Sequence, residues 1–425
     1  MTVVKIALLG AGTVGTQVAR LLSEQKEDLA ARSGAQLELV GIAVRDVSAL
    51  RDPAVDRSLL TDDPVSIIDE ADIVIELMGG IEPARAYIFR AFAAGASVVT
   101  GNKALLAAHG PELYEAAAQA DVDLYYEAAV AGAVPVVYGL RESLAGDRIT
   151  AVLGIVNGTT NYILDEMTVK GLDFGEALAK AQELGYAEAD PTADVDGLDA
   201  AAKCAILASL AFHTRVSIDD VHVHGIRSIT KADIESAGRS GCAVKLVASA
   251  KRRPEGIELH VGPTLVPLDH PLASVRGAFN AVVIEAEAAD RLMFYGPGAG
   301  GAPTASAVLS DVVAAASHKV DGGRAPRELI YGDIPVLEAS RGRSSFQAEF
   351  AVRDEIGVLT KVTGVFAAHG VSIRAVVQTA GEDGLARLTV STHEAFQADL
   401  EATLAELADA EFISEVYNVN RVEES

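Results

Sequence analysis

An aliphatic run, Val3-Val4-Lys5-Ile6-Ala7-Leu8-Leu9, leads directly into Gly10-x-Gly12-x-x-Gly15, and helical spacing follows over residues 14–29. A strand that breaks at glycines and re-enters a helix constrains the fold more than any other feature of the chain. Gly10 permits the tight turn, Gly12 lets a pyrophosphate approach the backbone, and Gly15 allows the helix to pack close to the strand. The first amides of the helix, at Thr13 and Val14, then face a phosphate with the helix dipole behind them. Apolar runs at 37–44, 73–77, 97–100 and 122–127 read as further strands, with helical spacing at 84–94 and 105–120. Strands alternating with helices imply a parallel sheet covered on both faces.

The pattern changes near residue 130. The segment 171–185 contains a helix, with Asp173 at its N-cap, Glu176 reaching back, and Gly185 at its C-terminal end. Residues 199–212 read as a strongly apolar helix. Short β-like pieces at 221–226, 244–250, 257–263 and 281–286 follow. A Gly-rich loop, Gly296 to Gly301, precedes a helix over 304–316. The expected organisation is a dinucleotide-binding domain over 1–130, completed near 300–325, and an α+β substrate and dimerisation domain over 131–320. A Gly/Arg/Pro-rich linker at 321–344 leads to a βαββαβ unit over 345–425.

With 425 residues, half of them apolar, the chain can bury several cores. The balance of 35 basic against 60 acidic residues, net charge −25, disfavours nucleic acid and anionic membrane surfaces as partners. No apolar run approaches the roughly 18 residues that would span a bilayer. Two cysteines without a CxxC spacing, and an N-terminus without a basic leader, fit a cytoplasmic protein. Lys251-Arg252-Arg253, before Pro254-Glu255-Gly256, reads as a solvated turn.

Three clusters carry chemistry. Arg45, at the tip of the second strand, could hold a 2′-phosphate. Asp46 beside it would suit a free ribose, so the reading leans to NADP with NAD open, and Arg45 also fits a plain surface role. Gly101-Asn102-Lys103 follows a strand at the carboxyl edge, where open sheets bind ligands. The densest cluster runs from Ala181 to Lys203 and includes Glu183, Glu188, Asp190, Asp194, Asp196 and Asp199. Asp199 and Lys203 are i and i+4 on an otherwise apolar helix, so they need partners or a wet cleft. A capping cluster with a surface ion pair is the alternative. His222 and His224 alternate on a strand, but no third ligand is evident. Cys204 and Cys242 read as packed thiols.

The segment Ala181–Lys203 resembles the diagnostic stretch of homoserine dehydrogenases: Gly185-Tyr186-Ala187, Glu188, Asp190-Pro191, Asp196-Gly197, Asp199 and Lys203. The glycine fingerprint, Gly101-Asn102-Lys103, Asn157-Gly158-Thr159-Thr160-Asn161-Tyr162-Ile163 and Gly298–Gly300 fall in the family's order. The resemblance implies a Rossmann-type doubly wound domain and NAD(P)-dependent interconversion of L-homoserine and L-aspartate 4-semialdehyde. Lys203 would donate the proton and Lys103 would assist, also touching the cofactor together with Gly300. Glu188 and Asp199 would hold the substrate ammonium, with Gly158, Thr159, Gly185 and Tyr186 lining the pocket. Backbone carbonyls of Glu127, Val130, Gly132 and Val134 would bind Na+ or K+. Some members of the family carry an acidic residue where this chain has Ala193, so no role passes to that position. The C-terminal unit resembles a ferredoxin-like ACT domain, with Gly370, Val371, Ser372 and Ile373 as the effector turn and threonine as the expected effector, the alternative being a dimerisation unit that senses nothing. A homodimer or homotetramer is expected. A catalytically silent nucleotide- and amino-acid-binding sensor is the alternative.

Overall fold

The computed structural model describes residues 1–326, 332–381 and 384–423. The expected linker at 321–344 falls in part on residues 327–331, outside the described residues. Two compact units are formed. The first comprises 1–152, 202–219 and 279–333, and the second 153–201, 220–278 and 334–425.

The first unit is built on a six-stranded sheet. Its strand order is Leu60–Thr61, Ala35–Ala43, Thr2–Leu9, Ile73–Glu76, Ser97–Thr100, Leu124–Tyr125, and every pairing is parallel. This is the doubly wound order expected from the glycine fingerprint. The central strands are buried on both faces, which is why they read as unbroken aliphatic runs rather than alternating ones. The helical signal over 14–29 resolves into two helices, Thr13–Glu24 and Lys26–Ser33. The helix Gly301–Asp321 returns to this core and buries Ala305, Val308, Val312, Ala315 and Ala316 in it.

The second unit contains the helices Gly158–Lys170, Phe174–Glu183 and Lys231–Arg239 and a long hairpin, Cys242–Arg253 with Gly256–Pro267. The reciprocal cap of Asp173 and Glu176 is formed: Glu176 N donates to Asp173 Oδ1 at 2.8 Å and Asp173 N to Glu176 Oε2 at 3.1 Å. Gly185 follows the helix end with φ +75°. The basic run at 251–253 corrects the turn reading. It is the end of a strand, with Lys251 paired to Glu423 at 2.6 Å and Arg253 to Glu258 and Glu394.

The C-terminal βαββαβ unit forms as expected: Arg343–Arg353, Val358–Ala368, Ile373–Ala380, Leu385–Thr392, Gln397–Ala408 and Ile413–Val422. Its antiparallel order is Ile413–Val422, Arg343–Arg353, Leu385–Thr392, Ile373–Ala380. Phe346, Phe350, Phe366, Leu388 and Leu400 form its core. The last strand also pairs in parallel with Thr264 and Leu265 of the long hairpin, so the sheet of this unit runs on into the hairpin.

Candidate functional site

The glycine loop has the geometry its sequence requires. Gly10 takes φ +102°, and a Cβ there would lie 2.7 Å from the Leu77 carbonyl oxygen. A Cβ on Gly15 would lie 2.0 Å from Gly10 O, whereas nothing lies within 4 Å of one on Gly12. Gly12 caps the helix without a side-chain acceptor, so the first-turn amides of Thr13 and Val14 are left for a ligand. Gly301 abuts this turn, since a Cβ there would lie 3.1 Å from Thr13 O, and Gly300 before it takes φ +125°.

At the ribose end Arg45 is exposed just beyond the strand Ala35–Ala43. A second arginine, unremarked in the sequence, lies nearby. Arg51 donates to Ala11 O at 3.3 Å and Asp46 O at 3.1 Å, and its buried Nε has no partner.

Lys103 is the first residue of the helix Lys103–Ala120, and the reason is Asn102. Its Oδ1 accepts from Leu105 N at 3.2 Å as the cap, and its Nδ2 donates to Gly80 O at 2.6 Å. The fully buried Glu76 supports the same edge, accepting from Met78 N at 2.8 Å and from Thr100 Oγ1 at 2.7 Å.

In the second unit Asn157 organises the acidic cluster. It caps the helix Gly158–Lys170 by accepting from Thr160 N at 2.8 Å, and its Nδ2 donates to Asp194 Oδ1 at 2.7 Å and Asp199 Oδ2 at 2.9 Å. Thr159 Oγ1 donates to Tyr186 O at 2.6 Å. The Tyr186 ring lies 5.0 Å from that of Tyr162. Gly158 admits no side chain, since a Cβ would lie 2.6 Å from Ala278 O. Gly185 and Glu188 are exposed on the loop that follows. Asp199 and Lys203 lie one turn apart in the helix Leu198–Phe212, with exposures of only 7% and 8%. A surface ion pair is thereby ruled out.

The segment Glu127–Val134 bends sharply, with Ala131 and Gly132 at φ +56° and +64°. A Cβ on Gly132 would meet Gly298 O at 2.4 Å. Glu127 accepts from Val137 N and Tyr138 N at 2.9 and 2.7 Å, while its own N–H donates to Asp311 Oδ2 at 2.9 Å. Burial pushes the Glu127 carboxyl up to about 7. Burial and the neighbouring Glu127 push Asp311 far above the carboxylate range. Asp311 Oδ1 is buried without a hydrogen-bond partner. Asp311 lies 184 positions from Glu127 and carries no local sequence signature. Among the described residues no group of three or more His, Cys, Asp or Glu could hold a metal ion, although His260 joins His222 and His224.

In the C-terminal unit Gly370, at φ +72°, Val371, Ser372 and Ile373 line one hollow of about 380 Å³ with Thr363 and Ala367. No described helix is long and apolar enough to cross a membrane.

The sequence matches the family described as homoserine dehydrogenase over residues 135–313, the homoserine dehydrogenase NAD-binding domain over 10–127, and the ACT domain over 347–412. It is 52% identical over 427 residues to the homoserine dehydrogenase of Corynebacterium glutamicum, covering 99% of this chain and 96% of that protein. The crystal structure of a homoserine dehydrogenase from Thiobacillus denitrificans superposes with a TM-score of 0.92 at 37% identity, covering 100% of this chain and 99% of that one. A hyperthermophilic archaeal homoserine dehydrogenase in complex with NADPH matches with a TM-score of 0.62 at 28% identity, over 73% of this chain and 97% of that one. The chain therefore belongs to the homoserine dehydrogenase family, as an oxidoreductase with an NAD(P)-binding domain and a C-terminal ACT domain.

Proposed function

We propose that the protein interconverts L-homoserine and L-aspartate 4-semialdehyde, running as the reductase in threonine and methionine biosynthesis, with NADP as the preferred cofactor. The observation that carries this reading is the burial of Asp199 and Lys203 on one helix, with Asn157 holding Asp199 in place. A buried carboxylate oriented by an amide is an acceptor suited to a ligand ammonium. Asp199 and Glu188 take the substrate ammonium, and Gly158, Thr159, Gly185 and Tyr186 line the pocket. Lys203 delivers the proton to the carbonyl oxygen on reduction and Lys103 assists there, where a cation stabilises developing alkoxide charge. The nicotinamide, when bound, supplies the hydride. Gly10, Gly12, Thr13, Val14 and Gly15 hold the pyrophosphate, with Gly300 against them, and Arg45 meets the 2′-phosphate. Arg51 beside the loop and the NADPH complex of the archaeal relative support that preference.

The carbonyls of Glu127, Val130, Gly132 and Val134 hold Na+ or K+. The partnerless Asp311 oxygen beside a second buried carboxyl fits a neighbouring cation. Threonine acts at the turn Gly370–Ile373, a role the hollow there supports. The functional protein is a homodimer or homotetramer. A cytoplasmic setting fits the two free cysteines. Spectrophotometric assay of L-homoserine oxidation with NADP and with NAD, with and without L-threonine, tests the reading. Turnover favouring NADP is the expected result, and a folded, cation-supplied protein inert with both cofactors would leave a silent sensor.

A further inference from the structure

Beyond the reacting residues, the second unit holds a cleft of about 410 Å³ whose walls include His222, His224, His260, Arg227, Asn420 and Arg421. His222 lies in register with His260 across a parallel pairing, and His224 N donates to Val261 O at 2.7 Å. The three rings therefore cluster, with centroids 4.6, 5.8 and 6.2 Å apart. His260 is only 6% exposed, and its ring lies against those of His222 and His224. Imidazoles gathered at this depth favour a ligand that can accept from their N–H groups.

The surrounding charge indicates which kind of ligand fits. Arg421 faces the imidazoles from the last ACT strand and is braced by Glu258 at 3.0 Å and Gln397 at 3.3 Å. Lys251, paired with Glu423, adds charge on the His260 side, and Glu401 opposes it on the His222 side. Burial first, then the neighbouring imidazoles and Arg421, hold His222 and His260 below the usual histidine range. Three donor-capable rings beside an arginine suit an anion, and the charge of Arg421 disfavours a cation among them. An oxyanion can accept charge-assisted hydrogen bonds from this set.

The opposite wall belongs to the acidic segment. Arg227 pairs with Asp196 and donates to Thr192 Oγ1 at 3.2 Å. Ile226 N donates to Val195 O at 2.8 Å, and a Cβ on Gly225 would lie 2.5 Å from that same oxygen. Asp196 is three residues before Asp199. The cleft thus touches the ACT strand on one side and the segment leading to Asp199 on the other.

We propose that this cleft is a binding site for a small oxyanion, a carboxylate or a phosphate, held by His222, His224, His260 and Arg421 where the ACT strand meets the hairpin. Binding stabilises the imidazolium forms, so it takes up protons and tightens as pH falls.

Isothermal titration calorimetry on the full chain tests this, with inorganic phosphate and with succinate, at pH 6 and pH 8 and constant ionic strength. This readout is independent of turnover, so it stands or falls separately from the reaction assigned above. The expected result is one equivalent of at least one anion bound, about fivefold or more tighter at pH 6. Binding is lost in the double variant His222→Gln/His224→Gln, both of whose sites have some exposure, while its thermal unfolding without anion is unchanged. Phosphate binding alone assigns a phosphate ligand, and succinate binding alone a carboxylate. Binding of neither anion, or binding that survives the double variant, overturns the proposal.

Discussion

Asn157 donates its side-chain amide to Asp199 at 2.9 Å while its carbonyl oxygen caps the helix that follows. One side chain therefore sets both a helix start and the orientation of a buried carboxylate. Asn157→Ala removes a cap worth about 1 kcal/mol and a donor to a buried charge worth about 1–3 kcal/mol. The predicted result is a lower Tm and a raised KM for homoserine. Asn157→Ser keeps a capping oxygen but loses the amide, so it should recover only the capping share of the Tm and little of the KM. Calorimetry and steady-state kinetics on the two variants separate these contributions.

Gly12 and Gly15 are expected to respond oppositely to the same change. Gly12→Ala meets no protein atom and should leave stability within about 0.5 kcal/mol, yet weaken cofactor binding by about tenfold or more because the methyl occupies the phosphate approach. Gly15→Ala places a methyl 2.0 Å from Gly10 O and should cost about 1–3 kcal/mol. Thermal melts and cofactor fluorescence titrations check both. A stable Gly15→Ala protein would contradict the loop geometry.

Lys245 is 3% exposed, and its ammonium donates to Asn161 Oδ1 at 3.0 Å and Val275 O at 2.5 Å. Burial pulls its pKa down to about 8. The folded state therefore holds fewer protons than the unfolded chain between about pH 8 and the ordinary lysine value near 10.4. Stability from this group rises with pH across that window, by at most about 1.4 kcal/mol per unit. Urea unfolding from pH 7.5 to 10 should show this slope in the parent and a smaller one in Lys245→Met. Identical slopes would remove the assignment.

The preference for NADP rests on charge beyond the second strand. Arg45→Ala should lower the NADP-to-NAD ratio of kcat/KM by about tenfold, consistent with losing one hydrogen bond to a charged group. An unchanged ratio would leave Arg45 a surface residue.

Much of this was legible in the sequence because the signals are local. The glycine fingerprint, the strand Ser97–Thr100 and the Asp173/Glu176 cap each sit within a few residues of chain. The helix Gly158–Lys170 gave no amphipathic period because Thr159 through Leu164 are all buried. The strand Asp290–Pro297 was hidden because none of its residues is buried. The helix Lys231–Arg239 was readable and missed: Thr230 and Asp233 form a reciprocal cap. Pairings across long stretches of chain, Asp311 with Glu127 or His260 with His222, leave no mark that spacing could reveal.

The most direct measurement compares Lys203→Met with the parent in homoserine oxidation, alongside NADPH binding by fluorescence. The expected result is turnover by the parent and a fall in kcat on the order of 10²–10⁴-fold in the variant, with cofactor affinity retained. A variant that keeps its kcat would contradict the assignment of Lys203 as the proton donor.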